Sequence, residues 1–328
     1  MKALLLQKGD QWQDMKVGEV PTPSPKSGEV LVKVHATGLN PVDYKVANGN
    51  NPDWNYPHIV GVDGAGLIEE VGEGVTEWKK GDRVVYHASL ANDGNFAEYA
   101  VTTAHTISRI PDDISFEDAV ALPCAGYTAY QALFRKMHIQ EGKTILVHAG
   151  AGGVGGFAIQ LAKQAGLTVF TTASEENHAY VKELGADYAI DYRKENFVEK
   201  VMELTNGVGV NYVLDTVSRD NATTSLDVLT FNGHLAFIAG APDYTKIKPF
   251  TISPSYHEVA LGAGHSSNNM DEQRDFAKMG DEMLQLLADG KISSLLEEVI
   301  SLDEIPQGLQ KLADRHVRGK IVAKIAGE

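Results

Sequence analysis

The stretch Ile145-Leu-Val-His-Ala-Gly-Ala-Gly-Gly-Val-Gly155 decides how this chain folds. An apolar strand runs into glycines, and an apolar-periodic helix over residues 154–165 follows. Gly150, Gly152 and Gly155 satisfy G-x-G-x-x-G, with Gly153 and Val154 filling the last gap. In such a turn the first glycine permits the tight bend and the second lets a pyrophosphate approach the backbone. The third brings the helix against the strand. The helix N-terminus, with its unpaired N–H groups, faces the anion. A glycine-rich turn alone is weak evidence, but here a second βα unit follows in register, and the motif reads as a dinucleotide site.

Outward from the motif, strands at 144–149, 168–173, 188–191, 210–215 and 234–239 alternate with helices at 154–165, 175–184, 195–204 and 221–229. That alternation predicts βαβ units on a doubly wound parallel sheet. Gly166, Gly185 and Gly207 sit just past the predicted helix ends, where a left-handed cap favours glycine. Upstream, residues 2–6, 29–37, 61–71, 82–87 and 96–102 are short β-type runs punctuated by Gly, Pro, Asp and Asn, which predicts a small barrel. Residues 116–134 read as helix. The tail offers helices near 272–288 and 302–314, the second opened by a Ser301/Glu304 capping box, and a last strand at 320–325. The expected division is a β domain of residues 1–121 completed by 266–328, with the cofactor domain at 122–265.

Composition narrows the function. The chain has 328 residues, with 29 basic and 44 acidic side chains giving a net charge of −15. Such a charge repels phosphate backbones and acidic bilayers, so neither nucleic acid nor membrane is an expected partner. The one cysteine, Cys124, allows no internal disulfide and no cysteine-rich zinc lobe, and it suits a reducing compartment. No apolar run approaches the ~18 residues of a membrane span, and the start lacks a secretory h-region. The expected location is the cytoplasm.

The end of the second strand, Val169-Phe-Thr-Thr-Ala-Ser174, carries small and hydroxylated residues where an NAD-binding chain usually has Asp or Glu. Ser174 and Asn177 can donate to a 2′-phosphate, and Tyr192 adds a phenolic donor after the third strand. The expected cofactor is therefore NADP(H). Glu175 and Glu176 read as first-turn residues favoured by the helix dipole; the alternative is that they mark NAD use.

Five segments taken together resemble a known family: Gly38-Leu-Asn-Pro-Val-Asp-Tyr-Lys45, Gly61-Val-Asp-Gly-Ala-Gly66, Gly94-Asn-Phe-Ala-Glu-Tyr99, Leu122-Pro-Cys-Ala-Gly-Tyr-Thr-Ala-Tyr130 and Ala149–Gly155. The chain resembles the medium-chain dehydrogenase/reductase superfamily, in its zinc-free quinone oxidoreductase and enone reductase branch. The resemblance implies a GroES-like β-barrel catalytic domain with an inserted Rossmann domain, an active site between them, and a homodimer or homotetramer.

Where zinc-dependent relatives carry a cysteine and a Gly-His-Glu, this chain has Asn40 and Gly61-Val-Asp63, so the resemblance implies no metal. His35, His58, His87 and Asp63 lack metal-ligand spacing and read as strand or loop residues. Without a Lewis acid, alkoxide stabilisation is lost, and hydride delivery to an activated double bond becomes the easier chemistry. The family pattern places Asn40 in the cleft, Lys45 where relatives put a proton-relay histidine, and Tyr44 beside them as a further donor. It places Thr128 at the nicotinamide or its phosphate. Lys324, on the last strand, reads as a contact to the adenosine phosphate or as an ordinary solvated lysine. Asn50-Asn-Pro-Asp-Trp-Asn-Tyr56 departs in spacing from the enoyl reductases that use a tyrosine slightly downstream. The expected function is NADPH-dependent reduction of a small quinone or enone. The alternatives are an NAD(P)-linked alcohol dehydrogenase and a non-catalytic NADPH-binding protein.

Overall fold

The computed structural model describes residues 1–49, 51, 54–315 and 317–325. Asn50, Pro52 and Asp53, three residues of the stretch with divergent spacing, lie outside them. The chain divides into two compact units, Met1–Tyr127 with Gly262–Glu328, and Thr128–Leu261. Both boundaries fall a few residues from the expected ones, and the first lies inside the segment read as one long helix. There Phe116–Val120 is α-helical, but wider turns at Pro123–Tyr127 and Gln131–Lys136 flank the short helix Thr128–Tyr130. Pro123 has no N–H to continue the ladder from the first helix.

The second unit is built on six parallel strands. Their spatial order is Tyr188–Asp191, Thr168–Ala173, Thr144–Val147, Val210–Asp215, Leu229–Phe237 and Ser255–Glu258. Counted along the chain that is 3-2-1-4-5-6, the doubly wound order whose carboxyl ends form a dinucleotide crevice. Leu146, Phe170, Ile190, Val213, Leu235 and Phe237 bury the apolar face of the sheet. Gly166, Gly185 and Gly207 take positive φ of 77°, 114° and 80°, as their cap positions predict. The sixth strand is new relative to the sequence reading, and the fifth starts earlier than expected.

In the first unit one sheet runs Leu296–Ser301, Lys320–Lys324, Glu29–Gly38, Asp63–Val71, Arg83–His87 and Ser108–Arg109, with Tyr99–Thr103 also paired to Glu29–Gly38. A three-stranded sheet joins Lys16–Glu19, Lys2–Leu6 and His58–Ile59. Two registers bring distant polar residues together. Val322 faces Gly38, which brings Lys320 to the loop after that strand, and Asp63 faces His87. The segment after Gly38 forms the helix Pro41–Asn48, capped by Asn40, with Pro41 at its first position. Among the described residues no helix is long and apolar enough to cross a membrane.

Candidate active site

In the cofactor unit the glycine turn is held by its neighbours before any ligand arrives. The Gly150 N–H donates to Thr172 O at 3.0 Å, and the Gly152 N–H to Ala149 O at 3.1 Å. The positive φ of the turn falls on Ala149, at 54°, and not on a glycine. What Gly150 supplies is the missing side chain: a Cβ there would run into Thr171 Oγ1 and come 2.8 Å from Ile159 Cδ1. At Gly155 a Cβ would strike Ala149 O, so this glycine does bring the helix against the turn. Gly152 is different, for its Cβ would meet nothing nearer than Ala149 O at 3.5 Å. Protein packing does not require glycine there, and the space stays open for a ligand. The helix Gly153–Gln164 that follows has no side-chain cap and no acidic residue in its first turn. Its N–H groups are available to a diphosphate. Gly153 and Val154, half-buried, form the start of that helix.

His148, inside the motif, was not singled out by the sequence reading. Its ring joins Thr172 Oγ1 at 3.1 Å and Ser225 Oγ at 2.9 Å, pinning the end of the first strand between the second strand and a helix. Burial lowers its pKa to about 4, and it stays neutral. Ser174 is buried and accepts from Asn177 Nδ2 at 3.1 Å, whereas Tyr192 is exposed. Thr128 is buried at the start of its short helix.

The first unit holds a buried polar knot. The Asn40 side chain is 1% exposed; its Nδ2 donates to Asp63 Oδ2 at 2.7 Å and its Oδ1 accepts from Lys320 Nζ at 2.6 Å. Lys320 Nζ also donates to Leu39 O at 3.1 Å and lies 3.8 Å from Asp63 Oδ2. Asp63 Oδ1 accepts from the Cys124 N–H at 2.9 Å. Asp43 accepts from two backbone donors, the N–H of Asn40 at 2.8 Å and that of Val62 at 3.1 Å. Burial first, and the neighbouring Asp63 charge second, push Asp43 up to about 8; burial raises Asp63 to about 6 against the pull of Lys320. Tyr44 is half-buried against the Trp12 ring, with centroids 5.6 Å apart, and Lys45 is exposed in the last turn of its helix. Lys324 lies on the last strand, 3.7 Å from Glu117. Asn40, expected to meet ligand, therefore has both ends of its amide engaged by protein. Asp43, Asp63 and Lys320 were not expected in the site.

A quinone oxidoreductase of Pseudomonas aeruginosa is 33% identical over 92% of this chain and 91% of its own. The chain belongs to the quinone oxidoreductase family. Residues 26–112 match the alcohol dehydrogenase GroES-like domain, and residues 153–285 match the zinc-binding dehydrogenase model. The solved quinone oxidoreductase of Coxiella burnetii superposes with a TM-score of 0.85 at 32% identity, covering 99% of both chains. A mycobacterial protein solved in complex with NADPH superposes at 0.86, with 29% identity over 99% of this chain and 100% of its own. The fold and the medium-chain dehydrogenase/reductase assignment read from the sequence thus hold, and the chain is an oxidoreductase of the quinone oxidoreductase type.

The zinc in the description of the matching dehydrogenase family calls for suitable donors in this chain. Asp63, His87 and Cys124 bring ligand atoms within 4.8 Å of one another, the one such group among the described residues. The set does not suit a resident zinc. Both Asp63 oxygens are already engaged, and the Lys320 ammonium stands beside them. Burial first, then the Asp63 charge, pushes the Cys124 thiol well above its usual range, whereas zinc needs a thiolate.

The same buried groups set a pH dependence. Asp43 titrates near 3.8 when unfolded and near 8 when folded, so its stabilising proton is fully present below pH 3.8 and lost as pH rises toward 8. His87, His148 and His265, all lowered by burial from 6.5, act oppositely, taking up protons on unfolding as pH falls below 6.5. Above pH 6.5 the loss of the Asp43 proton makes stability fall as pH rises toward 8. Thermal melts of the parent and of Asp43→Asn check this; the variant should lose the alkaline decline, and an unchanged decline would assign it elsewhere.

Proposed function

We propose that this chain reduces quinones, or the C=C bond of α,β-unsaturated carbonyls, with NADPH and without zinc. The observation that carries the reading is Lys320, a buried ammonium bound to Asn40 and close to Asp63, where metal-dependent chemistry would need those donors free. NADPH use is supported by the open Gly152 and the uncapped helix behind it, which would hold the diphosphate. Ser174, Asn177 and Tyr192 would lie at the ribose end. Bound NADPH supplies a hydride. The chain's own task is to stabilise the charge that grows on the substrate oxygen. Of the two lysines near the Asn40 loop, Lys320 is committed to protein acceptors and Lys45 is exposed, which leaves Lys45 as the cation a substrate can meet. Asn40 acts as a positioning residue that ties this loop to the sheet, and Tyr44 is the neighbouring phenolic donor.

The test is NADPH oxidation, followed by absorbance, over a panel of quinones, enones and alkenals. Turnover is expected with at least one of these classes on protein free of added metal. Lys45→Ala should lower kcat about tenfold, the effect of one screened cation, with NADPH affinity unchanged. Oxidation of alcohols that appears only on adding zinc, with no turnover of the panel, would sink the proposal.

A further inference from the structure

The second and third parallel strands end side by side, with Ala173 opposite Asp191. The segment beyond each strand is charged: Ser174, Glu175 and Glu176 after one, Tyr192, Arg193 and Lys194 after the other. The two sets pair across the gap. Arg193 Nη1 lies 2.9 Å from Glu176 Oε1, and Lys194 Nζ bonds Glu175, with Asp191 Oδ2 at 3.9 Å on its other side. The Arg193 guanidinium lies 5.7 Å from the Tyr192 ring centre. Glu176 is held below its usual carboxylate range, by its own backbone N–H first and then by the Ser174 hydroxyl and Arg193. All four charged side chains are exposed, from 58% to 68%. The glycine turn adjoins this place, since the Gly150 N–H bonds Thr172 O, two residues before Ser174. In a turn of this kind the end of the second strand meets the adenosine ribose.

We propose that Glu175–Lys194 and Glu176–Arg193 are a double clasp over the ribose end of the cofactor site, which a 2′-phosphate opens by taking both cations. The proposal rests on the NADPH reading above and deepens it. Exposed ion pairs are weak and screened, so the clasp opens cheaply. A phosphate monoester offers nearly two negative charges and three acceptor oxygens, and an arginine can meet it with two parallel hydrogen bonds. Glu176 keeps its own backbone N–H and Ser174 when Arg193 leaves, so its carboxylate remains beside the incoming phosphate. The two glutamates therefore weaken phosphate binding, and the two cations create it. A dinucleotide without the phosphate leaves the clasp shut and is indifferent to all four residues.

Calorimetric titration of the full chain with NADP+, NAD+ and adenosine 2′,5′-bisphosphate tests this without turnover. For Arg193→Ala/Lys194→Ala the Kd of NADP+ and of the bisphosphate should rise about thirtyfold, with NAD+ within about twofold. For Glu175→Gln/Glu176→Gln both phosphate ligands should bind about fivefold tighter, again with NAD+ unchanged. The gain should shrink between low and high salt. A parent that prefers NADP+ while neither double variant changes its Kd overturns the clasp and leaves the NADPH reading standing. A parent that binds NAD+ more tightly than NADP+ overturns both. Circular dichroism of each variant separates these results from misfolding.

Discussion

Lys320→Ala should lower the melting temperature by about 8 °C. Lys320 is 3% exposed, and its Nζ serves Leu39 O, Asn40 Oδ1 and the Asp63 carboxylate at once. Removing one partner of a buried pair leaves the other charge without compensation, which costs about 3–5 kcal/mol. At this chain length each kcal/mol moves the melting temperature by roughly 2 °C. The loss should be shared: with Asp63→Asn already in place, taking away Lys320 removes an attraction that no longer exists. A double-mutant cycle over Lys320→Ala and Asp63→Asn therefore yields a coupling well above 1 kcal/mol. Strict additivity of the two losses would show that the ammonium and the carboxylate do not sense each other. Replacing the cation by methionine, which keeps the stem, separates charge from packing.

The second large effect divides two glycines of one motif. Gly152→Val should raise the Kd for NADP+ by a hundredfold or so while moving the melting temperature by about 2 °C, the loss of a modest helix cap. Gly152 has φ −82° and ψ 176°, which any residue adopts, and the space over it is open. Gly155→Val should instead destabilise the fold by about 3 kcal/mol, because its side chain would meet backbone, Ala149 O and Gly150 Cα, that cannot swing aside. Equilibrium titration and thermal melts of both variants decide the matter. If Gly152→Val bound NADP+ as the parent does, the turn would not be the diphosphate site.

How much of this was legible in the sequence depends on how far apart the deciding residues lie. Much of the parallel sheet is written locally: its first three helices stop at Gly166, Gly185 and Gly207, all with positive φ, and its central strands are compact apolar runs. The Ser301/Glu304 pair likewise spans three residues, and Glu304 bonds the Ser301 N–H at 2.8 Å. The helix Pro41–Asn48 also carries a start signal, Asn40 before Pro41 with Asp43 three positions on, and the sequence reading places no element there. Ser255–Glu258 escaped because four residues with a histidine and a glutamate do not read as a buried strand. The polar knot could not be read at all, since it joins Asn40 to a lysine 280 residues later. Nor could the clasp, whose four charges look like solvated surface until the strand register pairs Ala173 with Asp191. Periodicity reports which face is apolar, not which distant charge will meet it.

The division of the chain has a consequence for its synthesis. The first unit is made from both ends of the sequence, with Thr128–Leu261 placed between them. Asn40, Asp43 and Asp63 emerge early from the ribosome, but Lys320 follows Asp63 by 257 residues. Until then a nascent chain that packed its leading β-segments would enclose the Asp63 carboxylate with no counter-cation, an arrangement that burial makes unfavourable. The inserted unit, a single continuous stretch of chain, meets no such delay and is free to fold while the chain is still growing. Completion of the leading unit thus waits for the segment that carries Lys320, and a chain cut short before it leaves the Asp63 carboxylate without its cation.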